Sequence, residues 1–91
     1  MRRYAVRYSK KADKALKKLD PQISRMIVAW IGRNLDGCPN PRAMGAALSG
    51  ELAGLWRYRV GGYRLIAEIK DGEILIFMLE IGHRGSVYDR G

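Results

Sequence analysis

The sequence predicts an α+β fold in the order β-α-α-β-β-β, with a helical hairpin packed on one face of a mostly antiparallel twisted sheet. Between residues 10 and 36, apolar residues recur with helical spacing in two successive stretches. From residue 55 onward, segments of strand length are separated by glycine-containing pairs that suit tight turns. A short alternating segment at the start supplies one more strand.

The first strand is predicted over residues 3–8, where side-chain polarity alternates up to Ser9. Ser9 suits the N-cap of a helix over residues 10–19. The apolar residues of that helix form one stripe with helical spacing, namely Ala12, Ala15, Leu16 and Leu19.

Asp20-Pro21 is typical of an N-cap followed by the first helical position, and predicts a second helix over residues 22–36. The short connection predicts an antiparallel pair of helices. We expect the pair to pack on the sheet through Leu16, Leu19, Ile27, Trp30 and Ile31.

Residues 37–54 are rich in small and turn-forming residues and predict a long loop, with one helical turn near Ala43–Leu48. Strands are predicted after it over residues 55–60, 63–69 and 73–81. The pairs Gly61-Gly62 and Asp71-Gly72 separate them, and both suit two-residue hairpin turns because glycine adopts positive φ without steric cost.

A two-residue turn at Gly61-Gly62 would place Arg59 directly opposite Arg64, with Arg57 on the same face. Like charges at opposed positions cost stability, on the order of 0.2–1 kcal/mol, and such a conflict is expected at functional sites. The alternative is a solvated strand face, and a register slip of one residue would separate the cluster. The opposite face would carry Trp56, Tyr58, Val60, Tyr63, Leu65, Ala67 and Ile69.

The last predicted strand is almost wholly apolar. Continuing the register through Asp71-Gly72 puts Leu75, Phe77 and Leu79 on the face of the arginines. We expect such an apolar patch to be covered, either by the C-terminal tail or by a partner protein.

The composition indicates one domain over residues 1–91 with a strong preference for anionic partners. Seventeen Lys and Arg residues stand against nine Asp and Glu, a formal net charge of +8. Nucleic acid is the first candidate. A merely solubilising surface is the alternative, and an acidic protein partner is compatible with either.

The sequence predicts a cytoplasmic protein without a metal or small-molecule cofactor. It has a single cysteine, Cys38, and a single histidine, His83, which offer neither a disulfide framework nor a zinc ligand set. It contains no nucleotide-binding glycine motif. No apolar run approaches the roughly 20 residues that span a bilayer, and no signal-peptide core follows the basic start.

The residues with chemical potential are the arginines together with His83, Arg84 and Tyr88, which follow the last predicted strand. Arginine stays charged and binds phosphate in a bidentate fork. Metal-free RNA cleavage needs such stabilisation, with an acid and a base for proton transfer. Histidine is the residue type that exchanges protons most readily near neutral pH, and His83 is the only one in the sequence. Tyr88 can stack on a base or transfer a proton. The alternatives are a surface histidine and a tail-packing tyrosine.

The segments Leu55–Leu65, Ile81–Arg84 and Val87-Tyr88, preceded by Leu48-Ser49-Gly50 and Gly54-Leu55, resemble the RelE/ParE toxin superfamily. Together with the order of predicted elements, the resemblance covers essentially the whole chain. It implies a single RelE-like toxin domain.

In the RelE branch, the resemblance implies mRNA cleavage at the ribosomal A site. By match, the residues responsible would be Arg57, Arg59, Arg64, Arg84 and Tyr88. The best studied relatives have lysines at the first two positions, and one of these is held to act as base. Because arginine does not readily give up its proton, proton transfer is assigned instead to His83 or Tyr88. Glu51, in the loop before the second strand of the family pattern, is a remote candidate.

Two other functions remain open. ParE-like relatives share the fold but inhibit DNA gyrase without nuclease activity, and a plain basic RNA-binding module is the third possibility. The resemblance also implies a cognate acidic antitoxin. We expect the antitoxin to cover the face of the arginines or to displace the tail that carries Tyr88. In the alternative, the tail covers the apolar patch and the antitoxin binds the helices.

Overall fold

The computed structural model describes residues 3–83, and in them two helices pack on one face of a five-stranded sheet. The strand order is β1-β5-β4-β3-β2, and only the β1–β5 pair is parallel. The predicted α+β class and layer arrangement are confirmed. The elements are β1 (Ala5–Tyr8), α1 (Lys10–Lys18), α2 (Pro21–Asn34), β2 (Ala46–Ala47), β3 (Trp56–Val60), β4 (Tyr63–Lys70) and β5 (Leu75–His83).

Both helices begin at the predicted caps. The Ser9 hydroxyl accepts a hydrogen bond from the amide of Ala12 at 3.0 Å, and the Asp20 carboxylate accepts one from Gln22 at 2.8 Å. Each bond satisfies an amide that the first turn leaves without an intrahelical partner. The Ser9 hydroxyl also donates to the Leu79 carbonyl at 2.9 Å, which fastens the start of α1 to β5. No helix in residues 3–83 has the length and apolar character to cross a bilayer.

The core lies between the helices and the sheet. Ile27 and Ile31 of α2 are buried against Tyr58 of β3 and Leu65 of β4. Leu16, Leu19 and Trp30 are half-buried and pack on the same cluster. The predicted packing face of the helical hairpin is therefore confirmed.

The predicted helical turn near Ala43–Leu48 is wrong. Residues 46 and 47 instead form β2, which pairs with Arg57 and Trp56 at the edge of the sheet, and a short 3-10 helix follows at Gly50–Leu52. Gly45, at φ +83°, explains why the chain takes this course. A Cβ at this position would lie 2.3 Å from the Arg57 carbonyl oxygen, so only glycine lets the chain approach β3 so closely.

The turn between β4 and β5 is two residues longer than predicted. A 3-10 helix at Asp71–Glu73 and Ile74 at φ +53° fill it, so that Lys70 pairs with Leu75. Because the turn is longer by an even number, side-chain alternation is preserved, and Leu75 and Phe77 lie on the predicted face.

The prediction that Leu79 continues this row is wrong, because a β-bulge interrupts β5. Ala67 pairs with Met78, but Ile66 pairs with Glu80, so Leu79 has no opposed residue in β4. The extra residue shifts the alternation by one. Glu80 therefore takes the register position on the face where Leu79 was expected.

Two contacts hold the loop after α2 against the sheet. The Tyr58 hydroxyl donates to the Pro41 carbonyl at 2.6 Å, and Arg42 forms a bidentate pair with Asp71, both N–O distances being 3.0 Å. Asp71 also accepts from the Tyr4 hydroxyl at 2.7 Å. Burial raises the pKa of Tyr58, which keeps the phenol protonated as a donor.

Candidate functional site

The sheet face opposite the helices, here called the arginine face, carries Arg57, Arg59 and Arg64. In the β3–β4 hairpin, Val60 pairs with Tyr63 across Gly61-Gly62, and Arg59 pairs with Arg64. The predicted register is therefore confirmed. Arg59 is exposed, whereas Arg57 and Arg64 are half-buried.

A hollow of about 60 Å³ lies at the tip of this hairpin. Its lining residues are Arg59, Gly61, Gly62, Tyr63 and Arg64. Since both opposed arginines line it, the hollow offers a phosphate two guanidinium groups from neighbouring strands.

His83 does not lie on the arginine face. It is the last residue of β5 rather than one beyond the strand, and it pairs with Tyr63. The two rings meet edge to face with centroids 5.2 Å apart, on the side of the helices. A Cβ on Gly62 would lie 3.7 Å from His83 Nε2, so the imidazole sits beside the hairpin turn at the end of the sheet.

Of the six predicted site residues, the structure thus brings three arginines to one face and places His83 at the end of the sheet beside their hairpin. Arg84 and Tyr88 lie outside the described residues. Glu51, the remote candidate, is exposed in the 3-10 helix at Gly50–Leu52.

The arginine face also carries Glu80, a residue that the sequence did not single out. Glu80 pairs with Ile66, which is two residues after Arg64 on β4 and therefore on the same face. The Glu80 carboxylate forms an ion pair with the Lys11 ammonium at 3.0 Å. Simple alternation from Leu75 places Glu80 on the helix side. Only the bulge moves it, and no sequence signal marks that bulge.

The rest of the arginine face mixes apolar and charged groups. Phe77 pairs with Glu68, and Leu75 pairs with Lys70. The Lys70 ammonium lies 5.5 Å from the centroid of the Phe77 ring, within the range of a cation–π contact. Toward β1, this part of the face therefore combines the apolar side chains of Leu75 and Phe77 with one cation, Lys70, and one carboxylate, Glu68.

A family model described as the ParE toxin of the type II toxin–antitoxin system parDE matches residues 6–88. The chain belongs to the RelE/ParE toxin superfamily. Toxin RelG of Mycobacterium tuberculosis is 34% identical over 87 residues, which are 96% of this chain and 98% of that protein. The resemblance seen in the sequence is confirmed, and the chain is the toxin of a type II toxin–antitoxin system.

Solved structures of RelE toxins share the fold. The toxin–antitoxin complex RelBE2 from Mycobacterium tuberculosis contains a chain 32% identical to this toxin, with a TM-score of 0.77, over 90% of this chain and 99% of that one. The archaeal RelE–RelB complex from Pyrococcus horikoshii contains one 28% identical, with a TM-score of 0.68, over 92% and 98% of the two chains.

Proposed function

We propose that this toxin is a metal-independent endoribonuclease that cleaves mRNA in the ribosomal A site. The observation that carries the proposal is the arginine face, where Arg59 lies directly opposite Arg64 and Arg57 shares the same side. This arrangement opposes like charges in the sheet, and binding a polyanion would relieve that repulsion. The similarity to RelE toxins and the formal net charge of +8 support it.

The proposed reaction is attack of a ribose 2′-oxygen on the adjacent 3′-phosphate. The new O2′–P bond forms as the P–O5′ bond breaks, which leaves a 2′,3′-cyclic phosphate and a free 5′-hydroxyl. The phosphate gains negative charge in the transition state. Guanidinium groups fixed on two paired strands stabilise that charge without reorganising.

The reaction also needs a base for the 2′-hydroxyl and an acid for the leaving 5′-oxygen. Arg57 and Arg59, at positions where studied relatives have lysines, do not readily exchange protons. We therefore assign proton transfer to His83 or Tyr88. His83 stands beside the turn that joins the strands carrying Arg59 and Arg64.

The second candidate function is inhibition of DNA gyrase by binding, without nuclease activity. The description of the matching family model as a ParE toxin favours it. Two assays on the same purified toxin separate the candidates. The nuclease proposal predicts cleavage of mRNA in a translating extract and unimpaired supercoiling by gyrase. Inhibition of supercoiling with intact mRNA would establish the alternative.

The proposed partner is a cognate antitoxin, since the similar RelE chains from Mycobacterium tuberculosis and Pyrococcus horikoshii are solved in toxin–antitoxin complexes. On this toxin, Leu75 and Phe77 offer apolar anchoring points, and Lys70 lies directly beside Phe77. A surface of this kind suits an amphipathic segment with apolar anchors and carboxylates. We therefore assign the antitoxin to the arginine face, where it would block access of RNA.

A further inference from the structure

A groove opens at the outer edge of β3, next to the arginine face. In the described residues, β2 pairs only with Trp56 and Arg57, so no strand covers the edge of β3 at Arg59. The space there is about 240 Å³, below the 300–1,000 Å³ of pockets for drug-sized ligands. Its lining residues, which define the Trp30 groove, are Trp30, Met44, Gly45, Arg57, Tyr58 and Arg59.

The walls of the Trp30 groove are an aromatic ring and a thioether. The half-buried ring of Trp30, on α2, is tilted by 55° against Tyr58, with centroids 6.1 Å apart. The Met44 side chain remains 43% exposed. An exposed methionine beside a partly open tryptophan offers a planar ligand soft, polarisable contacts.

Neighbouring residues hold the backbone at Met44 and Gly45. The Trp56 indole donates to the Met44 carbonyl at 2.7 Å, and Gly45 brings the chain against the Arg57 carbonyl. The Tyr58 hydroxyl anchors the same loop at Pro41. These contacts fix the backbone that carries Met44 at the edge of the groove.

Arg57 and Arg59 belong both to the Trp30 groove and to the arginine face. A ligand in the groove thus lies beside the groups that we propose to bind the scissile phosphate. A nucleotide satisfies both requirements, because its base is planar and its phosphate is anionic. Base stacking on protein aromatic rings is a general means of binding unpaired RNA.

We propose that the Trp30 groove binds the base of a nucleotide next to the scissile phosphate, with Trp30 as its stacking platform and Met44 as its second wall. This inference rests on the proposed nuclease function. It makes Trp30 a binding residue that positions the RNA, while the arginines act on the phosphate.

The test combines changes in the protein with changes in the RNA. A synthetic mRNA is placed on ribosomes, with an abasic nucleotide substituted in turn at each position around the cut, and kcat/KM for cleavage is measured. For the wild-type toxin, one abasic position is expected to lower kcat/KM about tenfold or more. Trp30→Leu should lower cleavage of the intact mRNA similarly and remove the effect of that abasic position.

Two variants control for folding. Trp30→Phe keeps an aromatic ring and should restore most of the activity lost in Trp30→Leu. Val28→Ala, at a residue of α2 that is 45% exposed and outside the groove, should behave as wild type. Thermal unfolding of all variants identifies any that are misfolded. If Trp30→Leu is among them, Met44→Ala carries the test, and it should weaken the effect of the same abasic position because it removes the second wall of the groove.

The outcomes separate the two proposals. If the wild type cleaves no mRNA, the proposed function fails and the base site fails with it. If the wild type cleaves and every abasic position affects Trp30→Leu as it affects wild type, the base site alone is wrong. Unchanged cleavage with weakened antitoxin binding in Trp30→Leu would show that the groove anchors a protein, which also overturns the inference.

Discussion

Replacing Arg59 with glutamine should raise stability while it lowers activity. Arg59 lies directly opposite Arg64, and the pair costs the sheet on the order of 0.2–1 kcal/mol. Removing one charge should recover part of that free energy of unfolding, a rise in Tm of roughly 1–8 °C for a domain of this size. Because Arg59 is exposed, the gain should shrink as salt screens the repulsion. Cleavage should fall by about 10²–10³ because one fixed guanidinium is lost from the transition state.

The measurements are thermal unfolding followed by circular dichroism at low and high salt, and translation-coupled mRNA cleavage. Arg33→Gln is the matched control, since it removes the same charge from an exposed position on α2. A stabilised but inactive Arg59→Gln beside an active Arg33→Gln supports the reasoning. Equal cleavage by the two variants would refute the role of the arginine face, and destabilisation by Arg59→Gln would refute the charge argument.

Three further predictions concern activity, stability and the antitoxin. Arg64→Ala and Arg84→Ala should each abolish toxicity with the fold intact, and growth arrest by either folded variant would count against the nuclease. Tyr58→Phe should lower the free energy of unfolding by about 1–3 kcal/mol, because the Pro41 carbonyl loses its buried donor; a denaturant titration unchanged from wild type would contradict this. Hydrogen exchange on the toxin–antitoxin complex should show protection of β4 and β5, whereas protection confined to residues 10–36 would place the antitoxin on the helices.

The β3–β4 hairpin shows what the sequence could predict. Gly61-Gly62 has the length and conformational freedom of a two-residue turn, and such a turn determines every pairing on either side of it. The pairing of Arg59 with Arg64 follows directly from this turn, and the structure confirms it. Local turn chemistry was sufficient here because nothing interrupts the ladder between Trp56 and Ala67.

The β4–β5 hairpin shows where the same reasoning ends. Asp71-Gly72 resembles a two-residue turn, but Asp71 also accepts from Tyr4 and Arg42, which are distant in sequence. Ile74 takes positive φ, a conformation that a β-branched residue rarely adopts and that no sequence rule would assign to it. The predicted faces of Leu75 and Phe77 were nevertheless correct, because the turn is longer by two residues and an even number leaves side-chain alternation unchanged.

The candidate site was also predicted only in part. The arginines were correctly placed because their positions depend on one hairpin. His83 was expected near them but lies on the helix side, and Glu80 was missed, because both positions depend on the bulge at Leu79. A bulge arises from the packing of the whole sheet, and the sequence of a single strand gives little indication of where it will occur.

The parallel pairing of β1 with β5 has a consequence for the order of folding. β5 lies inside the sheet, between β1 and β4, although it is the last strand of the described chain to be synthesised. The first strand therefore waits for nearly the whole polypeptide before Ala5 can meet Leu75, and closing so long a loop is slow. Before β5 has been synthesised, the β3–β4 hairpin carries its arginines but has no strand paired with the outer edge of β4. The arginine face, to which β3, β4 and β5 all contribute, is therefore completed only after β5 has been synthesised.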